Sequence, residues 1–285
     1  MELIGPTSDK YNSWFSGLKR HFSRGVSILT FPGFIAAAGF GLLSNGVHVS
    51  SDLMSPNEVI TYIHFSGALF GYVLVPLIFV FGLLWQKKIS RIEMPNLSDR
   101  KWGYLGAVAG AIQVFVMTWV DAPERAGREL KNLLKYVDTD TGNKLQSVYL
   151  ERSNDCMGVL VDEIQSYTLV VLMGLLLMYG FVWLGKKLSI HMCAAATVIT
   201  QSFIGMFHLY DKIPVEQQFQ KSFGLPWGGW GCDWQQPLML GFLFYGGGLL
   251  ALIYWARRAE RAHTHAELLG GLVLGLLVPM VGLMM

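Results

Sequence analysis

Seven stretches of the 285-residue chain contain no Asp, Glu, Lys or Arg: 25–51, 59–86, 102–120, 164–185, 188–210, 234–256 and 268–285. They are 27, 28, 19, 22, 23, 23 and 18 residues long, and the next longest such run, 222–232, has only 11. A helix needs roughly 20 apolar residues to cross the hydrocarbon core of a bilayer. The pattern therefore predicts an all-α, polytopic membrane protein with seven transmembrane helices. Only 15% of the residues are charged, against roughly 25% in ordinary soluble domains, and the deficit sits in these runs. A soluble enzyme and a nucleic-acid partner are both disfavoured on that ground.

The segments between the runs alternate in charge. Segments 1–24, 87–101, 186–187 and 257–267 hold 14 Lys/Arg and 6 acids, whereas 52–58, 121–163 and 211–233 hold 8 Lys/Arg and 14 acids. Lys and Arg gather on the cytoplasmic side of membrane proteins, so the N-terminus is expected in the cytoplasm and the C-terminus outside. A bacterial plasma membrane is the expected location. The first run begins too far into the chain and is too long for a cleaved signal peptide.

Residues 1–24 read as a cytoplasmic interfacial segment, because Trp14, Phe15, Leu18 and Phe22 recur at helical spacing among Lys19, Arg20 and Arg24. Residues 25–285 read as a single seven-helix domain with outer loops 121–163 and 211–233. The first loop carries Leu130, Leu133, Leu134 and Val137 at helical spacing, the mark of an amphipathic surface helix that ends near Asp138–Gly142. The second carries Trp227, Trp230 and Trp234, suited to anchoring a loop at the interface. Cys156 and Cys232 fall in the two outer loops and form a candidate disulfide in an oxidising compartment.

Small residues recur every four positions at Gly33, Ala37 and Gly41, at Gly106 and Gly110, and at Gly271 and Gly275. That spacing lets helix backbones approach closely inside a membrane. The tripeptide Gly246–Gly248 cannot share one helix face and reads as tight packing, with a kink as the alternative.

With no charge inside the predicted spans, histidine is the leading candidate for chemistry, since an ionisable group within a membrane helix marks function by default. His64 lies about 9 Å into the second span at 1.5 Å per residue, His208 lies near the outer end of the fifth, and His48 lies just beyond the outer region of the first. Two imidazoles from different helices suit axial ligation of a b-type haem, which makes His64 and His208 the candidate cofactor ligands. Three imidazoles, or two with a carboxylate, suit a transition metal, and His48, Asp211 and Asp121 complete that candidate set with His64 and His208. On the inner side, His191 borders Lys186 and Lys187, and His263 and His265 lie in an Arg-rich turn; all three read as interfacial.

Missing residues exclude several seven-helix readings. The last run has no lysine for a retinal Schiff base, and His64-Phe-Ser-Gly67 lacks the first glycine of a rhomboid-type Gly-x-Ser-Gly motif. The intramembrane carboxylate seen in the third subunit of haem–copper oxidases falls in none of the runs, and the single-helix carboxylate–histidine pattern of membrane copper monooxygenases is absent too. The placement of His64, near the outer end of a second span after a cytoplasmic N-terminus, is similar to that of a low-spin haem ligand in catalytic subunits of haem–copper oxidases and nitric oxide reductases. This resemblance covers the first two helices and one residue.

Two functional expectations follow. One is a redox membrane subunit that holds a b-type haem or transition metal near the outer face and passes electrons between quinone, or a small substrate, and an outer-side partner. The other is a non-catalytic assembly subunit alongside other membrane subunits, or a carrier for a small neutral solute. The lack of charge in the runs disfavours a proton-driven pump.

Overall fold

A computed structural model describes residues 8–48, 65–89, 96–121, 144–212 and 235–282. They form eight helices and, among the described residues, no strand: α1 (Ser8–Leu29), α2 (Pro32–His48), α3 (Phe65–Trp85), α4 (Leu97–Val116), α5 (Lys144–Trp183), α6 (Ile190–Lys212), α7 (Gln235–Ala259) and α8 (His265–Gly282). Each of the seven charge-free runs lies on helix over most of its described residues. Among the described residues α3, α4, α5 and α8 are each long and apolar enough to cross a bilayer, and α1 with α2 makes a fifth, bent candidate.

That bend, 47°, breaks the run 25–51, which the sequence had suggested was one span. Its cause is local. Pro32 has no backbone N–H and pushes the preceding Phe31 away from helical torsions, so a helix ends before it and a new one starts with Pro at its first position. Thr30 Oγ1 donates to Val26 O at 2.7 Å, which occupies one carbonyl at the end of α1. Helix α1 also continues past residue 24, the expected boundary of the interfacial segment, and packs Phe22 at a tilt against Trp255 of α7.

Glycine contacts fix the directions of the helices. A methyl group on Gly33 would strike the Tyr72 carbonyl, and one on Gly41 the Phe65 ring, so α2 and α3 are antiparallel. Gly110 lies against the Gly71 carbonyl and Gly106 against Phe79, which makes α3 and α4 antiparallel as well. Lys101 over Trp183 and Thr118 beside Thr168 set α4 against α5 in the same sense. Gly271 and Gly275 rest on the carbonyls of Ser189 and Cys193, so α6 and α8 are parallel. From α2 to α8 the chain thus alternates between two ends. One end, gathering Lys87, Lys88, Lys101, Lys186, Lys187, Arg257 and Arg258, is called the basic end below; the other is the far end.

Helix α6 is the centre of the bundle, packed by α2, α5, α7 and α8. Its Met192, Ala195, Ala196 and Val198 are buried together with Thr197, Gln201 and Ser202. A helix surrounded by protein presents little surface to lipid and tolerates polar side chains that find partners on other helices. Helix α7 runs through Gly246–Gly248 without a break, and Gly246 admits the Ile199 side chain of α6. Helix α5 is longer than its 22-residue charge-free run. Its 40 residues amount to roughly 60 Å of helix, so the residues from Lys144 onward, which the sequence assigned to a loop, continue directly into the bundle.

Two π-helical turns interrupt the regular spacing, Phe70–Leu74 within α3 and Met117–Asp121 directly after α4. The first lies at the Gly71–Gly110 crossing, where the two backbones meet. Each adds a residue to one turn and re-aims the side chains beyond it.

Candidate functional site

Two polar layers lie in this otherwise apolar bundle. The first spans α4, α5 and α6 in the half nearer the far end. Thr118 Oγ1 and Thr168 Oγ1 are 3.0 Å apart, Gln165 Nε2 donates to Thr118 O at 3.4 Å, and Gln201 Nε2 donates to Ser166 Oγ at 3.2 Å. Next to them Tyr167 is fully buried and donates from Oη to Ala36 O at 2.6 Å, tying α5 to α2. One turn further along α5, Glu163 is also buried, with 6% of its surface exposed. Ser202 Oγ, buried on α6, has no hydrogen-bond partner among the described residues.

Glu163 is a residue that charge-free runs cannot reveal, since by definition they stop beside it. The signal that finds it is periodicity. Tyr167, Val170, Gly174, Met178 and Val182 mark the inward face of α5 at steps of three and four, and Glu163 continues that stripe.

The second layer closes the basic end. Arg257 Nη1 donates to Glu260 Oε2 at 2.9 Å and to Ser27 Oγ at 3.3 Å, while Ser27 Oγ donates to the same carboxylate at 2.9 Å, so α1 is fastened to α7. Helix α8 begins with a reciprocal cap: Thr264 N donates to Glu267 Oε2 and Glu267 N donates to Thr264 Oγ1. That carboxylate also accepts from His263 Nδ1 at 2.9 Å and stands 4.0 Å from Lys187 Nζ. His263, read from sequence as an interfacial histidine, is in fact buried. Burial, with the nearby cations Arg257, Arg100 and Lys187, pushes its pKa down to about 3, so the ring is neutral at pH 7. Burial, with Arg100 and Arg257, also lowers Lys187, and Glu267 opposes that shift. His191 at the start of α6 has its Nδ1 shut off from solvent with no hydrogen-bond partner among the described residues. His265 pairs through Nδ1 with Tyr254 Oη.

The residues singled out from sequence stand as follows. His64 and Cys232 lie outside the described residues, as do the side chains of His48, Asp121, Cys156, His208 and Asp211. The backbones of these last five belong to helices, and packing sets their heights. Gly39 of α2 lies against Val198 of α6, and the two helices run parallel. His48 is nine residues beyond Gly39 and His208 ten beyond Val198, about 13 and 15 Å along their helices. The two histidines therefore share one height toward the far end, on helices in direct contact. Asp211 is one turn beyond His208. Cys156 is eleven residues before Tyr167, whose Oη meets the same level of α2, and so stands about 16 Å above it. Asp121 follows Thr118 by one turn and is roughly 10 Å nearer the middle of the bundle than the histidine pair.

Among the described residues no group of three or more His, Cys, Asp or Glu side chains converges as a metal site would require. Comparison of the chain with protein-family models, with curated proteins and with solved structures returns no match.

Proposed function

We propose that the protein is a multi-pass membrane redox subunit, with seven spans, its basic end in the cytoplasm and its far end outside. In this reading it sits in a bacterial plasma membrane and holds a b-type haem or a transition metal near the outer end of the bundle. The ligands are His208 and a second histidine, either His48 of the neighbouring α2 or His64, with Asp211 and Asp121 as oxygen ligands or partners. The bound group supplies one-electron chemistry between quinone or a small substrate and an outer-side partner. The chain's own residues hold the ligands at fixed height and supply neutral imidazole lone pairs.

The observation that carries this reading is the common height of His48 and His208 on two parallel helices in direct contact. Metal analysis of the purified protein tests it. Stoichiometric iron or copper, lost on His208→Ala, is expected, and a wild-type protein that carries neither would sink the idea.

A second reading, as a carrier for a small solute, is favoured by one specific observation. Glu163 is buried next to a belt of hydroxyls and amides, which removes the objection that no ionisable carboxyl group faces the bundle interior. Uptake by reconstituted vesicles that responds to a pH gradient in the wild type and not in Glu163→Gln would support it; no gradient-dependent uptake in the wild type would exclude it.

A further inference from the structure

Helices α3, α5 and α7 all end at the basic end, and all three end in the same way. In α3, Lys88 N donates to Leu83 O and Lys87 N to Leu84 O; in α5, Lys186 N donates to Phe181 O and Gly185 N to Val182 O. In α7, Ala262 N donates to Arg257 O and Arg261 N to Arg258 O. This paired closure places the residue just past the helix in the left-handed region, where glycine is usual. Gly185 has φ +73°, but Lys87 (φ 56°) and Arg261 (φ 54°) take the same conformation with full side chains. Left-handed backbone is unfavourable for such residues, so at two of three helix ends a basic residue stands where glycine would fold with less strain.

Around the ends of α3, α4 and α5 the cations meet aromatic rings. Lys88 Nζ lies over Trp102 at 5.5 Å from the ring centre, and Lys101 Nζ over Trp183 at 4.1 Å. Trp85 and Leu184 are strongly exposed beside them. Among the described residues the acids at this corner are Asp99, which is buried, and Glu267, which is already engaged by His263 and Lys187. An ammonium held on an indole face is already positioned before any ligand arrives, and exposed indoles favour the headgroup level of a bilayer.

We propose that this corner, built from Lys87, Lys88, Lys101 and Lys186 with Trp102 and Trp183, is a binding site for the phosphate headgroup of an anionic glycerophospholipid. The apolar helix faces below it receive the acyl chains, and the lysines, drawn from three helices, surround the phosphate. The inference rests on the bilayer reading of the fold and is independent of any haem or metal.

The test uses the full chain in detergent micelles doped with phosphatidylglycerol or with phosphatidylcholine. Retained lipid is read by native mass spectrometry and stability by the thermal midpoint. Phosphatidylglycerol should be retained in preference and should raise the midpoint. At roughly fivefold in affinity per interfacial lysine, Lys88→Gln with Lys101→Gln should weaken its retention roughly 30-fold. Lys87→Gly should leave the lipid-free protein at least as stable while reducing the gain from phosphatidylglycerol, which separates loss of charge from loss of fold. The pair Lys19→Gln with Arg261→Gln removes equal charge elsewhere and should retain the lipid. Equal retention of the two lipids by the wild type, equal loss in both double variants, or displacement of the lipid by inorganic phosphate at matched concentration would each overturn the proposal.

Discussion

His263 offers a direct test of how the basic end is assembled. Its ring is buried with 5% of its surface exposed and donates to Glu267. Arg100 of α4, Lys187 of the α5–α6 turn, His191 of α6 and Arg257 of α7 face this cluster. Glu267 alone would favour the imidazolium; burial and three cations outweigh it and hold the ring's pKa near 3 instead of the usual 6.5. Between those values the unfolded chain binds a proton that the folded protein excludes. Stability from this group is therefore full above pH 6.5 and is lost as the pH falls toward 3. Lowering the pH from 7 to 5 should cost about 2 kcal/mol through this one ring, a fall of roughly 3 °C in thermal midpoint. His263→Gln keeps a donor for Glu267 but has no titrating ring, so its midpoint should be flatter over that interval. The assay is thermal unfolding of detergent-solubilised wild type and variant at pH 5, 6 and 7. Parallel decline of the two proteins would refute the reasoning.

Three further outcomes follow from the packing. Gly110→Val drives a branched side chain into the Gly71 carbonyl and should abolish a stable bundle, seen as loss of a monodisperse peak on size-exclusion chromatography. Gly180→Ala, at a position with open space around it, should instead gain up to about 1 kcal/mol in thermal unfolding. Tyr167→Phe removes the 2.6 Å bond to Ala36 O and should cost about 1 kcal/mol, measured in the same assay.

Much of the helical framework is written in the absence of charge. The runs place a helix at each expected location, and the four-residue spacing of Gly33, Gly106, Gly110, Gly271 and Gly275 identifies the crossings that set helix direction. The break at Pro32 was legible too, because proline at a first helical position is a common helix start, but charge counting passes over it. Burial is the harder quantity. Nothing in a charge-free run says that α6 is enclosed on all sides, so its histidines and glutamine look no different from those on a lipid-facing helix. Glu163 and His263 stand at the margins of the runs, where a charge count assigns them to loops. Their burial comes from a helix that begins earlier and from a turn folded under Arg257, and both depend on contacts between segments far apart in sequence.

The functional proposal rests on the histidines near the outer end, and a reduced-minus-oxidised optical spectrum of the purified protein interrogates them most directly. A redox-linked absorbance change, with a Soret band if the group is haem, is expected in the wild type and should vanish in His208→Ala while that variant remains folded. A spectrum that is flat in the wild type, together with no bound transition metal, would contradict the proposal.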